Sequence, residues 1–130
     1  MSHELYPAVT KELSRARTAL APETAAAFQA FSRQVFAEGA LAAKTKQIIA
    51  VAVAHVTQCP YCIKGHTRAA LRAGASGAEL MEAIWVAAEM RAGGSYAHSI
   101  LAVAEMDAAS PGAANDGRPP SKPGGEVHAE

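Results

Sequence analysis

The chain has 130 residues, 50 % hydrophobic and 18 % charged, with 12 basic side chains against 12 acidic ones. That length suits one domain, and the even charge excludes the basic stripe of a nucleic-acid-binding face. The longest apolar stretch, Ile48 to Ala54, is far short of a membrane span, and the first residues lack the apolar run of a secretory leader, so a soluble, cytoplasmic protein with no membrane partner is expected.

No segment reads as a strand, and the expected fold class is all-α with about six helices. A first helix is predicted from about Ala8 to Thr18. Pro22 suits the first turn of a second, which Gly39 follows, and Phe28, Phe31, Val35 and Phe36 recur on it at helical spacing. A third is predicted over Ala43 to Thr57. Its middle, with Ile48, Ile49, Val51, Val53 and Val56, has no polar face and reads as buried on nearly every side. Cys59 and Pro60 open a fourth helix, with Cys59 near the N-cap and Pro60 at the first helical position, and Gly74 closes it. Ser76-Gly-Ala-Glu79 is a capping-box pattern for a fifth. Gly93-Gly94 is predicted to break or kink that helix, and a sixth follows to about Asp107. The helical domain is therefore expected over 1–107. Beyond it, 108–130 mixes Pro and Gly without any aromatic residue and reads as a flexible tail.

The chemistry concentrates in Cys59-Pro-Tyr-Cys-Ile-Lys-Gly-His66, which holds both cysteines of the chain. Two thiols at Cys-x-x-Cys spacing can cycle between dithiol and disulfide, and in a cytosolic chain that pattern points to redox or metal chemistry rather than a static staple. On a helix of ~100° per residue, Cys62 lies about 60° and His66 about 20° from Cys59, so the three share one face. Cys62 and His66 form an i,i+4 pair close enough to hydrogen-bond. A helix N-terminus offers unpaired N–H groups that stabilise a thiolate, the reactive form toward peroxides and disulfides. His66 can take the thiol proton and return one to a leaving alkoxide. The dipole taken alone favours Cys59 as nucleophile, since it lies nearer the helix start.

Gln47 and His55 sit eight residues apart on the third helix, roughly on one stripe, and His55 precedes Cys59 by four residues. His55 reads equally as part of a proton network around the thiols and as a cation placed at a helix C-terminus. Gln47 reads as a buried amide with a structural partner. Zinc held by Cys59, Cys62, His66 and His55 is the rival to redox chemistry. Structural zinc serves segments that lack a core, however, and this chain has apolar residues enough for one, so neither metal nor cofactor is expected. Tyr61 and Trp85 read as packing residues, His98 as facing an interface or a pocket, and Glu82 and Glu89 as a solvated face. His3 and His128 are terminal and read as inert. Much of the apolar content is Ala, which fills little volume, so a single copy is expected to bury little.

The run from Lys44 through Gln47, His55, Cys59 and Cys62 to His66, continued by Glu82 to His98, resembles the carboxymuconolactone decarboxylase superfamily, and within it the AhpD-like alkylhydroperoxidase branch. The resemblance implies a helical bundle assembled as a homo-oligomer, trimer or hexamer. It also implies a thiol-dependent hydroperoxidase or disulfide oxidoreductase, with Cys62 attacking an organic hydroperoxide, Cys59 resolving and His66 acting as base. An external dithiol, of lipoyl type, would restore the pair. Two positions depart from the peroxidase pattern. That pattern has glutamate twelve residues before the first cysteine, where this chain has Gln47, and some members have histidine where this chain has Tyr61. An amide cannot exchange a proton at neutral pH, so His55, a glutamate of the fifth helix or one from another subunit would have to complete the relay. The departure also opens an alternative in which the protein is a non-catalytic oligomeric binding or structural module with a regulatory thiol pair.

Overall fold

The computed structural model describes residues 4–110. His3, His128 and most of the expected tail lie outside them. Among the described residues every regular element is an α-helix, and there are five: α1 Lys11–Leu20, α2 Pro22–Phe36, α3 Ala43–Thr57, α4 Pro60–Arg72 and α5 Gly77–Ala109. None is long and apolar enough to cross a membrane. Two compact units divide the chain after Arg91. The first contains α1 to α4 and the opening turns of α5, and it carries all the chemistry of the motif.

Local signals explain most boundaries. α1 begins at Lys11, three residues later than predicted, because Thr10 caps it by accepting the Leu13 N–H at 3.2 Å. The residues ahead of it are held by another tie. Tyr61 donates its hydroxyl to the Pro7 carbonyl at 2.8 Å and meets the Tyr6 ring edge-on. Pro22 sits in the first turn of α2. That helix stops at Phe36, where the Lys46 ammonium of α3 donates to the Val35 and Ala37 carbonyls, groups that a helix end leaves without partners.

The turn that delivers the motif comes next. α3 ends in Gln58, a non-glycine residue in the left-handed conformation (φ 57°), and the Cys59 N–H returns to the Ala54 carbonyl at 3.2 Å. The chain then enters α4 with Cys59 as N-cap and Pro60 in the first turn, as its sequence predicts. At the far end Gly74 takes φ 97°, and the Ala75 N–H bonds the Ala70 carbonyl at 2.9 Å. The capping box forms as read. Ser76 Oγ accepts the Glu79 N–H at 3.1 Å, and Glu79 Oε1 accepts the Ser76 N–H at 3.0 Å.

Three expectations are corrected. The fifth and sixth predicted helices are one, α5, running unbroken through Gly93-Gly94 to Ala109. Glycine costs about 1 kcal/mol per helical position but retains its N–H and clashes with nothing, so flanking helix formers override it where proline would not be tolerated. α3 is not covered on all sides within one chain. Val51 and Ala54 are buried, whereas Ile49, Val53 and Val56 are about half exposed. Trp85 is not a packing residue of the single chain either, being 67 % exposed.

What one copy does bury is small. The core is Val51, Ala70, Ala75 and Leu80, with Ile48 and Ile84 packed against it. It joins α3 and α4 to the start of α5, fixing the two helices that carry Gln47, Cys62 and His66.

Candidate functional site

Cys59 and Cys62 are joined as a disulfide, with Cα atoms 5.2 Å apart. The N-cap position of Cys59 and the first-turn position of Cys62 bring them together, as the Cys-x-x-Cys spacing requires at a helix start. Cys59 Sγ also accepts the Cys62 backbone N–H at 3.2 Å. This sulfur therefore performs the capping that a serine or aspartate oxygen performs elsewhere.

His66 lies one turn further along α4, half-buried between two partners from different helices. Its ring stacks on Phe36 of α2, with centroids 5.0 Å apart and planes at 27°. Its Nδ1 lies 2.8 Å from Gln47 Oε1 of α3. An amide oxygen can only accept, so the imidazole proton of the neutral ring sits on Nδ1 and the lone pair on Nε2. Gln47 thus holds the tautomer and the ring plane, a role the sequence did not assign to it beyond that of a satisfied amide.

Two clefts open at this pair. The first, about 410 Å³, lies between α2 and α3 and is almost wholly apolar: Val35, Phe36, Ile49, Ala50, Val53 and Ala54 line it with Cys62 and His66. Its one charged liner, Lys46, has its ammonium on the end of α2. The second cleft, about 530 Å³, is mixed in character: Val9, Phe36 and Ala69 line it, and Arg17 of α1 and Arg33 of α2 do so with Ser32, Gln47, Tyr61, Cys62 and His66. Both volumes lie within the range of small-molecule sites. Cys62 faces both clefts, and Cys59 lines neither.

His55 stands apart from this arrangement. Its Nδ1 lies 2.7 Å from the Val51 carbonyl one turn back along α3, to which it donates, and it lines neither cleft. No group of three or more His, Cys, Asp or Glu side chains suited to a metal ion occurs among the described residues. The four ligands of the zinc reading are therefore not gathered. Tyr61, read as packing, is half-exposed and ties the segment before α1 to α4. His98, Glu82 and Glu89 are exposed. The arginines of the second cleft were not singled out in the sequence. Nothing in the spacing of Arg17 and Arg33, on separate helices, connects them to the motif.

Comparison with known proteins agrees with this picture. Residues 22–106 match the carboxymuconolactone decarboxylase family. An uncharacterized protein of the cox locus of Paracoccus denitrificans is 64 % identical over 81 residues, 62 % of this chain and 73 % of that protein. An uncharacterized protein of Cupriavidus necator is 34 % identical over 87 residues, 67 % of this chain and 77 % of that one. Among solved structures, a protein from Methanobacterium thermoautotrophicum superposes with a TM-score of 0.60 at 37 % identity, covering 62 % of this chain and 91 % of its own. The apo form of a carboxymuconolactone decarboxylase family protein from Legionella pneumophila does so with a TM-score of 0.56 at 34 % identity, over 61 % and 70 %.

Proposed function

The chain belongs to the carboxymuconolactone decarboxylase family, and from that premise we propose that it is a hydroperoxide-reducing enzyme of the AhpD-like type, working through the Cys59–Cys62 pair. The observation that carries the reading is the position of Cys62. It is the sulfur that borders both clefts, beside an imidazole whose Nδ1 is tied to Gln47 and whose Nε2 is left basic.

The cycle begins from the dithiol. His66 Nε2 takes the Cys62 proton, directly or through one water, and the thiolate attacks the distal oxygen of a hydroperoxide. The O–O bond breaks, sulfur is oxidised to the sulfenic acid, and the alkoxide leaves as the alcohol with the proton from His66. The Cys59 thiol then attacks the sulfenic sulfur and expels water, giving the disulfide. An external dithiol, of lipoyl type in a reducing cytoplasm, returns the pair to its reduced form by thiol–disulfide exchange. Gln47 cannot carry a proton, so exchange with solvent falls to other groups.

The working unit in this reading is a homo-oligomer, a trimer or a hexamer. Its support is the apolar surface that one copy leaves uncovered, including Phe28, Phe31, Trp85 and Met90, each more than 60 % exposed. Monomeric proteins rarely leave this much aromatic and methionine surface in water.

Stopped-flow consumption of cumene hydroperoxide by the reduced protein tests the assignment. Cys62→Ser is expected to consume none. Cys59→Ser should react once and accumulate a dimedone-trappable sulfenic acid at Cys62. His66→Ala should slow by roughly 10²–10⁴. Equal rates in all four proteins would reject the mechanism. A second reading, a binding module with a regulatory thiol pair, draws its support from the amide at position 47. It requires thiols that oxidise without sustained hydroperoxide turnover under any dithiol supplied.

A further inference from the structure

The mechanism uses Cys62, His66 and Gln47 but leaves two features unexplained. One is the contrast between the clefts that share Cys62, His66 and Phe36 as lining. The other is the presence of Arg17 and Arg33 in only one of them. Both arginines occupy last turns of their helices, where a cation complements the macrodipole. The dipole accounts for a cation at each helix end. It does not account for two separate helices turning theirs into one cleft beside the reactive sulfur. Nor does any carboxylate among the described residues engage either of them. The one ion pair among the described residues joins Lys44 to Glu79 at 3.0 Å, and no acidic side chain lines either cleft.

We propose that the two clefts together take an amphiphilic carboxylate, with its acyl chain in the apolar cleft and its carboxylate at Arg17 and Arg33. Such a molecule carries its middle across Cys62. The substrate class that follows, resting on the hydroperoxidase reading, is a fatty-acid hydroperoxide whose –OOH lies between the charged end and the tail. Its reduction balances as before: the O–O bond is cleaved, Cys62 is oxidised to sulfenic acid, and the product is the hydroxy acid. Apolar walls suit the chain by area removed from water. Guanidinium groups suit the carboxylate because their fork of donors matches its two oxygens. The one cation of the apolar cleft does not compete, since the Lys46 ammonium is held by the carbonyls that end α2.

The test has a binding arm and a turnover arm, both on the full chain. In the first, decanoate and decanol are titrated calorimetrically into wild type, Arg17→Gln/Arg33→Gln and Arg17→Lys/Arg33→Lys. The decanoate-to-decanol affinity ratio should fall on the order of tenfold or more in the Gln variant, a charge-assisted contact being lost. It should be partly retained in the Lys variant, which keeps the charge but not the fork. In the second arm, the hydroperoxide of linoleic acid should exceed its methyl ester in kcat/KM by about tenfold in wild type, with the preference lost in the Gln variant. No decanoate binding, or an acid preference that the Gln variant keeps, overturns the proposal. If neither these substrates nor tert-butyl hydroperoxide turns over, yet decanoate binds in an arginine-dependent way, the hydroperoxidase reading falls and the amphiphile site stands.

Discussion

The contact between Gln47 and His66 offers the sharpest test of the site, because its loss leaves both sulfurs and the imidazole in place. In Gln47→Leu the acceptor for Nδ1–H disappears while volume and helical propensity are nearly kept. The lost bond is short, 2.8 Å, neutral and half-buried. A bond of that kind contributes about 0.5–1.5 kcal/mol net, and water can reach the exposed part of the ring to replace some of it. The global cost should therefore be about 1 kcal/mol. The catalytic cost comes from the tautomer. With no acceptor at Nδ1, the ring is free to carry its proton on Nε2, the atom the mechanism needs unprotonated. Losing about 1 kcal/mol of preference changes the ratio of the two tautomers about fivefold, so oxidation of reduced Gln47→Leu by cumene hydroperoxide should slow by up to about that factor.

The companion variant Gln47→Glu separates this account from simple loss of packing. A carboxylate at neutral pH also accepts only, so it restores the Nδ1–H tautomer and should recover the rate. It additionally supplies the proton-exchanging group that the amide lacks. Nitrogen-15 correlation spectra of His66 read the tautomer directly in all three proteins. Nε2–H as the major neutral form in wild type would refute the reasoning, as would a Gln47→Leu protein that reacts at the wild-type rate. A Gln47→Glu protein as slow as Gln47→Leu would equally do so.

Other parts of the structure make their own predictions. Tyr61→Phe removes the hydroxyl that holds the Pro7 carbonyl and should lower stability by about 0.5–1.5 kcal/mol. Amide exchange should become faster in the residues before α1, and unchanged exchange there would show that the tie is idle. Ser76→Ala deletes the cap of α5 and should cost about 1 kcal/mol in urea unfolding; a value near zero would mean that water replaces the hydroxyl. Glu79, partner of that cap, is held below its ordinary 4.5, chiefly by the Ser76 backbone N–H and then by Lys44. A carboxyl titrating lower in the folded state stabilises it fully above the unfolded value. Wild type should therefore lose stability as pH falls through about 4.5 and below, and Glu79→Gln should lose less. Parallel pH profiles for the two would contradict the assignment.

The elements that were legible in the sequence are those fixed by local chemistry. Cys59 as N-cap, Pro60 in the first turn, Gly74 as terminator and the Ser76–Glu79 box each involve groups within a few residues of one another, and each forms as read. The pairing of Cys59 with Cys62 follows from their spacing at a helix start in the same way. What the sequence hid depends on contacts between helices. Gln47 meets His66 across nineteen positions, and Arg17 and Arg33 come to one cleft only because α1 packs on α2 and α2 on α3. Gly93-Gly94 misled because punctuation by glycine is a matter of about 1 kcal/mol, small enough for a long run of helix formers to overrule. The burial of α3 was overread for a different reason. A stretch apolar on all sides does not by itself say that one copy covers it: Ile49, Val53 and Val56 are about half exposed, and Ile49 and Val53 line the apolar cleft.

The proposed cycle also bears on a conflict that periodicity alone leaves open. The helix dipole singles out Cys59, yet the family resemblance makes Cys62 the attacking thiol. These are answers to two different steps. Cys62 borders the clefts, and in the proposed cycle it is the sulfur that meets the substrate. Cys59 lines neither, but it receives the Cys62 N–H at the helix start. When an external thiolate attacks the disulfide at the accessible sulfur, Cys62, the bond to Cys59 breaks and Cys59 departs as a thiolate. A leaving thiolate is favoured where an N–H already points at it. In the proposed cycle the N-terminus of α4 assists reopening of the disulfide, while His66 and Gln47 assist its formation. On this division, replacing Pro60 or the first turn of α4 should slow reduction by dithiols more than oxidation by hydroperoxide. Changes at Gln47 or His66 should do the reverse. Stopped-flow measurement of the two half-reactions in the same variants tells the cases apart, and a variant of either group that slows both equally would mean that one thiol serves both steps.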